Sequence, residues 1–237
     1  MVSVYYNEKW YMGINYISFS ECGRRRENQD FLRILKLDEN LILFVLADGM
    51  GGHHNGAQSS RIVCDSFCDY WQKHLKNGFH ENFIAEASLQ TLDNLEKEAN
   101  KKKGIQMGSM LVGVFIDGIQ AYIFHCGDSR CYLFRKEKGC IFQTIDHVDF
   151  SMGWEVFERC FITDKPQKAA PEIIGFELKE SDRLFLCTDG VHKRIPSLKL
   201  EKALQADKSL DSVINDIQRL CEDYSDDNYS GILIEIK

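Results

Sequence analysis

The chain has 237 residues, 44% of them hydrophobic, and a formal net charge of −7. That length fits one large domain or two small ones, with enough apolar content for a substantial core. The acidic balance argues against a general nucleic-acid binder, which needs clustered Lys and Arg; the one basic run, Lys101-Lys-Lys103, reads as solvated. Nine cysteines at irregular spacings include no Cys-x-x-Cys pair and no zinc-type spacing. Those inside apolar runs, such as Cys126 and Cys187, read as small core residues, and a reducing cytoplasm is expected. The start, Met1-Val-Ser-Val-Tyr-Tyr-Asn7, lacks the basic-then-apolar pattern of a signal peptide. No apolar run approaches membrane-spanning length, so no membrane partner is expected.

In chain order, residues 10–20 mix Trp10, Tyr11, Ile14, Tyr16, Ile17 and Phe19 with small polar residues and predict one or two strands. Gly23-Arg-Arg-Arg-Glu-Asn-Gln-Asp30 then leads into a strand beginning at Phe31. An arginine beside carboxylates is a suitable phosphate clamp, because its planar fork donates two hydrogen bonds at once. Leu41-Ile-Leu-Phe-Val-Leu-Ala47 predicts a buried strand that delivers Asp48 at its end. Gly49, Gly51 and Gly52 follow, where a backbone without side chains can approach an ion or a phosphate. Two amphipathic helices are predicted next, one carrying Cys64, Phe67, Cys68, Trp71 and Leu75 and ending at Asn77-Gly78, the other over about 81–99.

Residues 106–144 predict an antiparallel meander, with Asp117-Gly118 as an ordinary hairpin turn and Gly127-Asp-Ser-Arg130 as a break between two apolar strands. Asp128 stands out, since a buried lone carboxylate is costly unless a cation pairs with it. Residues 148–178 show little periodicity and predict mostly loop. Arg183-Leu-Phe-Leu-Cys187 predicts a strand running into Thr188-Asp189-Gly190, followed by helices around 198–204 and 210–224 and a last strand over 230–236. No repeat or linker interrupts the chain, so a single domain over 1–237 is expected.

Asp30, Asp48, Asp128, Asp189 and Asp227 thus each flank a strand-like apolar run. Five carboxylates meeting at one sheet edge cannot all ionise unless cations neutralise them. Hard oxygen donors select Mg²⁺ or Mn²⁺, and two such ions can activate water and neutralise a phosphoryl group. Metal-assisted phosphate hydrolysis is the chemistry this pattern suggests.

Six ordered motifs now carry a resemblance: Arg25-Arg-Glu-Asn-Gln-Asp30, Ala47-Asp-Gly-Met-Gly-Gly-His53 with Gly56-Ala-Gln-Ser-Ser60, Gly127-Asp-Ser-Arg-Cys-Tyr-Leu133, Thr144-Ile-Asp-His147, Leu186-Cys-Thr-Asp-Gly190 and Asp227-Asn228. Over about 12–236 the chain resembles the PPM/PP2C family of metal-dependent serine/threonine protein phosphatases, in its compact bacterial form. The resemblance implies an α+β fold, a four-layer α-β-β-α sandwich of two antiparallel sheets flanked by helices. It implies two Mn²⁺ or Mg²⁺ ions bridged by Asp48, with the Gly49 carbonyl on the second ion and Asp189 and Asp227 on the first, and attack on phosphorus by a metal-bridging hydroxide. Asp30 would orient the water and Arg25 would clamp the phosphate, while Arg24 and Arg26 would be scaffold or surface. Asp128 with Asp189 would form a third, weaker ion site, and Ser129 and Arg130 would fix the turn that aims Asp128. A phosphoprotein substrate, with a cognate Ser/Thr kinase, would be the partner.

Three departures qualify the likeness. Gly108-Ser-Met replaces the family's Gly-Thr-Thr, a change expected to act on packing. Met50 stands where animal members carry a histidine, as is usual in the bacterial branch, which leaves the proton donor unassigned; His53 and His54 are candidates by proximity, or shape the loop. The interval from His147 to Asp189, which holds the family's mobile flap, is short, and a trimmed flap would leave the site more open. Two other readings stand beside the active protein phosphatase: a catalytically weak or inactive binding module with this fold, and a phosphatase of small phosphorylated metabolites.

Overall fold

Alternation along the strands sets the architecture of the computed structural model, which describes residues 13–50, 55–80 and 82–237. Strands β1 (Ile14–Glu21), β2 (Asp30–Asp38) and β3 (Leu41–Met50) precede helices α1 (Asn55–His74) and α2 (Phe83–Lys101). Strands β4 (Gly108–Asp117), β5 (Gln120–Cys126), β6 (Arg130–Arg135) and β7 (Gly139–Gln143) come next. Three short strands, β8 (Val148–Asp149), β9 (Val156–Phe157) and β10 (Phe161–Ile162), lead to β11 (Glu172–Glu177) and β12 (Arg183–Cys187). Helices α3 (Asp189–His192), α4 (Ser197–Leu204) and α5 (Leu210–Tyr224) precede β13 (Tyr229–Ile236). Trp10, Tyr11, Gly51, Gly52, His53, His54 and Glu81 lie outside the described residues.

The strands make a five-stranded sheet, β1-β13-β12-β6-β7, and a six-stranded sheet, β11-β5-β4-β3-β2, with β10 paired to β4. Strand β3 is apolar from Leu41 to Ala47 because both its faces are covered. Leu43, Val45 and Ala47 pack with Val63, Phe67 and Trp71 of α1 and Phe83 and Ile84 of α2. Ile42, Phe44 and Leu46 face the other sheet, meeting Leu184 and Leu186 of β12 and Ile232 and Ile234 of β13. That sheet's outer face, with Phe185 and Leu233, is covered by Leu200 and Leu204 of α4 and Val213, Ile214 and Ile217 of α5. The layers are therefore α-β-β-α, as the resemblance implied.

One expectation is corrected. Residues 106–144 are not one meander: β4 and β5 form a hairpin, turned at Asp117-Gly118 as expected, but β6 belongs to the other sheet and pairs with β7 and β12. The chain steps between sheets at Gly127–Ser129. Residues 148–178 are mostly loop, as expected, with short strands set in it. Glu172–Glu177 is a six-residue edge strand on β5, and β8 pairs with β9 as a small hairpin. The cysteines are free, and Cys64, Cys68, Cys126, Cys131, Cys160, Cys187 and Cys221 are buried, as core residues should be. No helix among the described residues is long and apolar enough to cross a membrane.

Candidate active site

The parity that fills the space between the sheets also places the first two carboxylates. Leu32 and Ile34 of β2 and Ile42, Phe44 and Leu46 of β3 point into the inter-sheet core. Two residues along, the same faces carry Asp30 and Asp48, which are direct partners in the β2–β3 register. At this end of the sandwich the apolar filling stops and acids begin. The Asp48 carbonyl accepts a 2.7 Å hydrogen bond from Ser109 Oγ, so the serine of Gly108-Ser-Met ties β3 to β4 beside the site.

Asp189 opens the short helix α3 at the end of β12, and Asp227 lies between α5 and β13. Gly190 brings them together. A Cβ there would fall 1.8 Å from the Asn228 carbonyl oxygen and 3.3 Å from Asp227 Cβ, so only glycine admits this approach. Asn228 joins the arginine-bearing loop to the same corner. Its Oδ1 accepts from the Gln29 N–H at 2.9 Å, and its Nδ2 donates to the carbonyls of Cys22 and Glu27 at 2.8 and 2.9 Å.

Asp128 sits at the step between sheets, held from behind by the motif 144–147. The N–H of Gly127 donates to His147 Nδ1 at 3.2 Å, and the N–H of His147 donates to the Gly127 carbonyl at 3.0 Å. Arg130 makes a bidentate pair with Asp146, at 2.7 and 2.9 Å, and Thr144 Oγ1 accepts from the Cys131 N–H. Gly127 takes φ +120°, and a Cβ there would strike Met110.

These placements produce one electrostatic unit. Burial pushes the Asp30 carboxyl up to about 7; hydrogen bonds from Ser230 and Thr188 oppose the rise, while Asp189 and Asp227 add to it. Thr188 Oγ1 is that donor, at 2.9 Å from Asp30 Oδ2. Asp48 is pushed well above the carboxylate range by burial and by Asp30, Asp189, Asp128 and Asp227. Asp189, hydrogen-bonded to Asp48, is raised by burial and by Asp227, against Lys193. Asp128 rises to about 6 through burial and Asp189, against its pairing with Lys193. Asp30, Asp48, Asp128 and Asp189 are thus all raised at one end of the sandwich, with Asp227 among the charges that raise three of them.

Protein cations line this cluster. Arg25 Nη2 is 2.7 Å from Asp227 Oδ2, and the Arg25 side chain is 54% exposed, so its guanidinium is within reach of an incoming anion. Arg194 lies 3.6 Å from the same Asp227 oxygen and 3.1 Å from Asp226. Arg24 reaches the Glu222 carbonyl, a scaffold contact. Lys193 is the cation that the sequence reading missed; its signal was a position four residues after Asp189, one helical turn on. Its Nζ lies 2.5 Å from Asp128 Oδ2, 2.7 Å from Glu155 Oε1 and 3.6 Å from Asp189 Oδ2.

The donor set fits hard divalent ions: carboxylate oxygens brought together beyond what they tolerate as anions. Three side chains whose ligand atoms all lie within 4.8 Å occur elsewhere among the described residues, at His125, His147 and Glu172. The two histidine rings are stacked, 4.3 Å apart and 13° from parallel, and their nitrogens already hydrogen-bond with Ile145, Gly127 and Glu172. Since His147 Nδ1 accepts from Gly127, its Nε2 carries the proton and donates to Glu172. The trio pins the Gly127 step to the edge strand β11.

Residues 21–231 match the family description "Protein phosphatase 2C". The chain is 25% identical over 240 residues to a protein of Mycoplasma genitalium named "Putative protein phosphatase", covering 90% of this chain and 91% of that one. It is likewise 25% identical over 240 residues to the "Serine/threonine phosphatase stp" of Listeria monocytogenes, covering 91% and 93%. Among solved structures it is similar to the catalytic domain of the serine threonine protein phosphatase PstP in complex with 2 manganese ions, with a TM-score of 0.73, 21% identity and coverage of 95% and 99%.

Proposed function

The chain belongs to the protein phosphatase 2C family, and from that membership we propose that it hydrolyses phosphoserine and phosphothreonine in proteins, with Asp48, Gly49, Asp189 and Asp227 holding two Mn²⁺ or Mg²⁺ ions. The observation that carries this reading is the meeting of Asp30, Asp48 and Asp189 at one buried corner, each raised first by burial and then by neighbouring carboxylates, a cluster that divalent cations would relieve. Such ions supply Lewis acidity, making water nucleophilic near neutral pH and offsetting phosphoryl charge.

The remaining work belongs to the chain. Asp30, fixed by Thr188, is placed to accept a hydrogen bond from the attacking water and aim it at phosphorus. Arg25, half-exposed at the rim, can turn from Asp227 to clamp two phosphoryl oxygens with its fork. A bond forms from the water oxygen to phosphorus, the bond to the seryl or threonyl oxygen breaks, and inorganic phosphate and the free hydroxyl leave. His53 and His54, which could donate the leaving-group proton, lie outside the described residues. The natural counterpart is a Ser/Thr kinase that makes the phosphoester.

The test is phosphate release from phosphothreonine peptides and from small phosphorylated metabolites, each with Mn²⁺ and with chelator. Chelator-sensitive release favouring peptides is expected, and equal release with and without chelator sinks the reading. Arg25→Ala should raise KM for the peptide by roughly tenfold, the scale of a lost charged hydrogen bond, with Arg25→Lys recovering part of it. Gly190→Ala should weaken Mn²⁺ binding roughly 10- to 100-fold, as a change behind the ligands does, measured by calorimetry on the folded variant.

A further inference from the structure

Asp128 is 3% exposed, in a step of chain between two sheets where no water-filled surface solvates it. A carboxylate so placed needs a cation. The structure supplies one from the protein itself: the Lys193 ammonium, 2.5 Å from Asp128 Oδ2. That ammonium also lies 2.7 Å from Glu155 Oε1 and 3.6 Å from Asp189 Oδ2. An ammonium has three hydrogens to donate, and here three carboxylates from three separated stretches surround it. One comes from the step between sheets, one from the segment between β8 and β9, and one from α3. Burial works against the charge on Lys193, but the hydrogen bonds to Asp128 and Glu155 outweigh it and hold the lysine above its ordinary range.

A third divalent ion shared by Asp128 and Asp189, as the resemblance implies, does not fit beside this group. An ion held between Asp128 and Asp189 would sit beside the ammonium that already lies 2.5 Å from the one carboxylate and 3.6 Å from the other, and the two positive charges would repel. We infer that Lys193 is the resident cation of this pocket, taking the position between Asp128 and Asp189 so that the chain binds two divalent ions and not three, and fastening the β8–β9 hairpin to the site through Glu155. The inference rests on the two-ion reading of the neighbouring aspartates. Lys193 acts here as a positioning residue, through Asp128 and Glu155.

The experiment counts Mn²⁺ bound to the full chain by equilibrium titration, following free Mn²⁺ by electron paramagnetic resonance up to millimolar concentration. Hydrogen exchange across residues 148–157 is measured in parallel. Wild type is expected to saturate at two ions. Lys193→Ala should take up a third and exchange faster in the hairpin without it, whereas Lys193→Arg should stay at two with the hairpin protected. Wild type saturating at three overturns the inference and leaves the two-ion reading intact. Wild type binding none removes that reading and this inference with it. A folded Lys193→Ala that still stops at two shows that the lysine is not what excludes the third ion. If Lys193→Ala does not fold, the wild-type count decides.

Discussion

Asp48→Ala and Asp189→Ala are expected to lower kcat for phosphopeptide hydrolysis by roughly a thousandfold or more. The magnitude follows from losing several kcal/mol of metal-supplied charge stabilisation, at about 1.4 kcal/mol for each factor of ten. The effect should be specific to position. Asp117 is also an Asp-Gly aspartate at a strand end, but it is exposed in the β4–β5 hairpin, and Asp117→Ala should retain wild-type turnover. The isosteric Asp48→Asn separates chemistry from packing, because it keeps the shape of a side chain at the end of a buried strand. Turnover by Asp48→Asn close to wild type would remove Asp48 from the reaction.

Removing metal should invert the usual dependence of stability on pH. Burial, aided by neighbouring carboxylates, holds Asp30 at about 7 and Asp128 at about 6, with Asp48 well above the ordinary range. A carboxyl raised in the folded state contributes stability that is fully present below its unfolded value of 3.8 and is lost as pH rises through the folded value. In chelator, then, Tm should fall as pH climbs from about 4 to about 7. The gap at Asp30 of about three units corresponds to about 4 kcal/mol, or roughly 10 °C for a chain of this size. With saturating Mn²⁺ the decline should flatten, because the ions favour the ionised carboxylates. In chelator at pH 7.5, Asp48→Ala should melt above wild type while being inactive, since it removes a repelling acid. A wild-type Tm in chelator that rises across this range would contradict the charge cluster described here.

The sequence showed the parts of this site whose signals are local. Strands β3, β12 and β13 are covered on both faces and read as largely apolar runs, and Asp48, Asp189 and Asp227 at or beside their ends marked the site's position. What escaped notice depended on partners far along the chain. The step at Gly127 carries the same glycine-and-aspartate signal as a hairpin turn, and only the pairing of β6 with β12 distinguishes them. Strand β11 lies at a sheet edge with Ile173 41% exposed and Gly175 in its middle, so it lacks the pattern of a buried strand. Lys193 meets Asp128 across 65 residues, and Arg25 meets Asp227 across 202, distances over which no periodicity argument reaches.

Strand β13 comes late in the chain yet lies between β1 and β12 in its sheet, and Asp227 stands two residues before it. A nascent chain still attached at the ribosome cannot close that sheet until these residues emerge, so β1 and β12 wait without the neighbour that joins them. Translation stalled before residue 227 would leave a polypeptide in which Asp30 and Asp48 can pair across β2 and β3 but Asp227 is missing and β12 lacks its neighbour. Competence therefore arrives as a single late event, and truncated products carry no partial hydrolase into the cell.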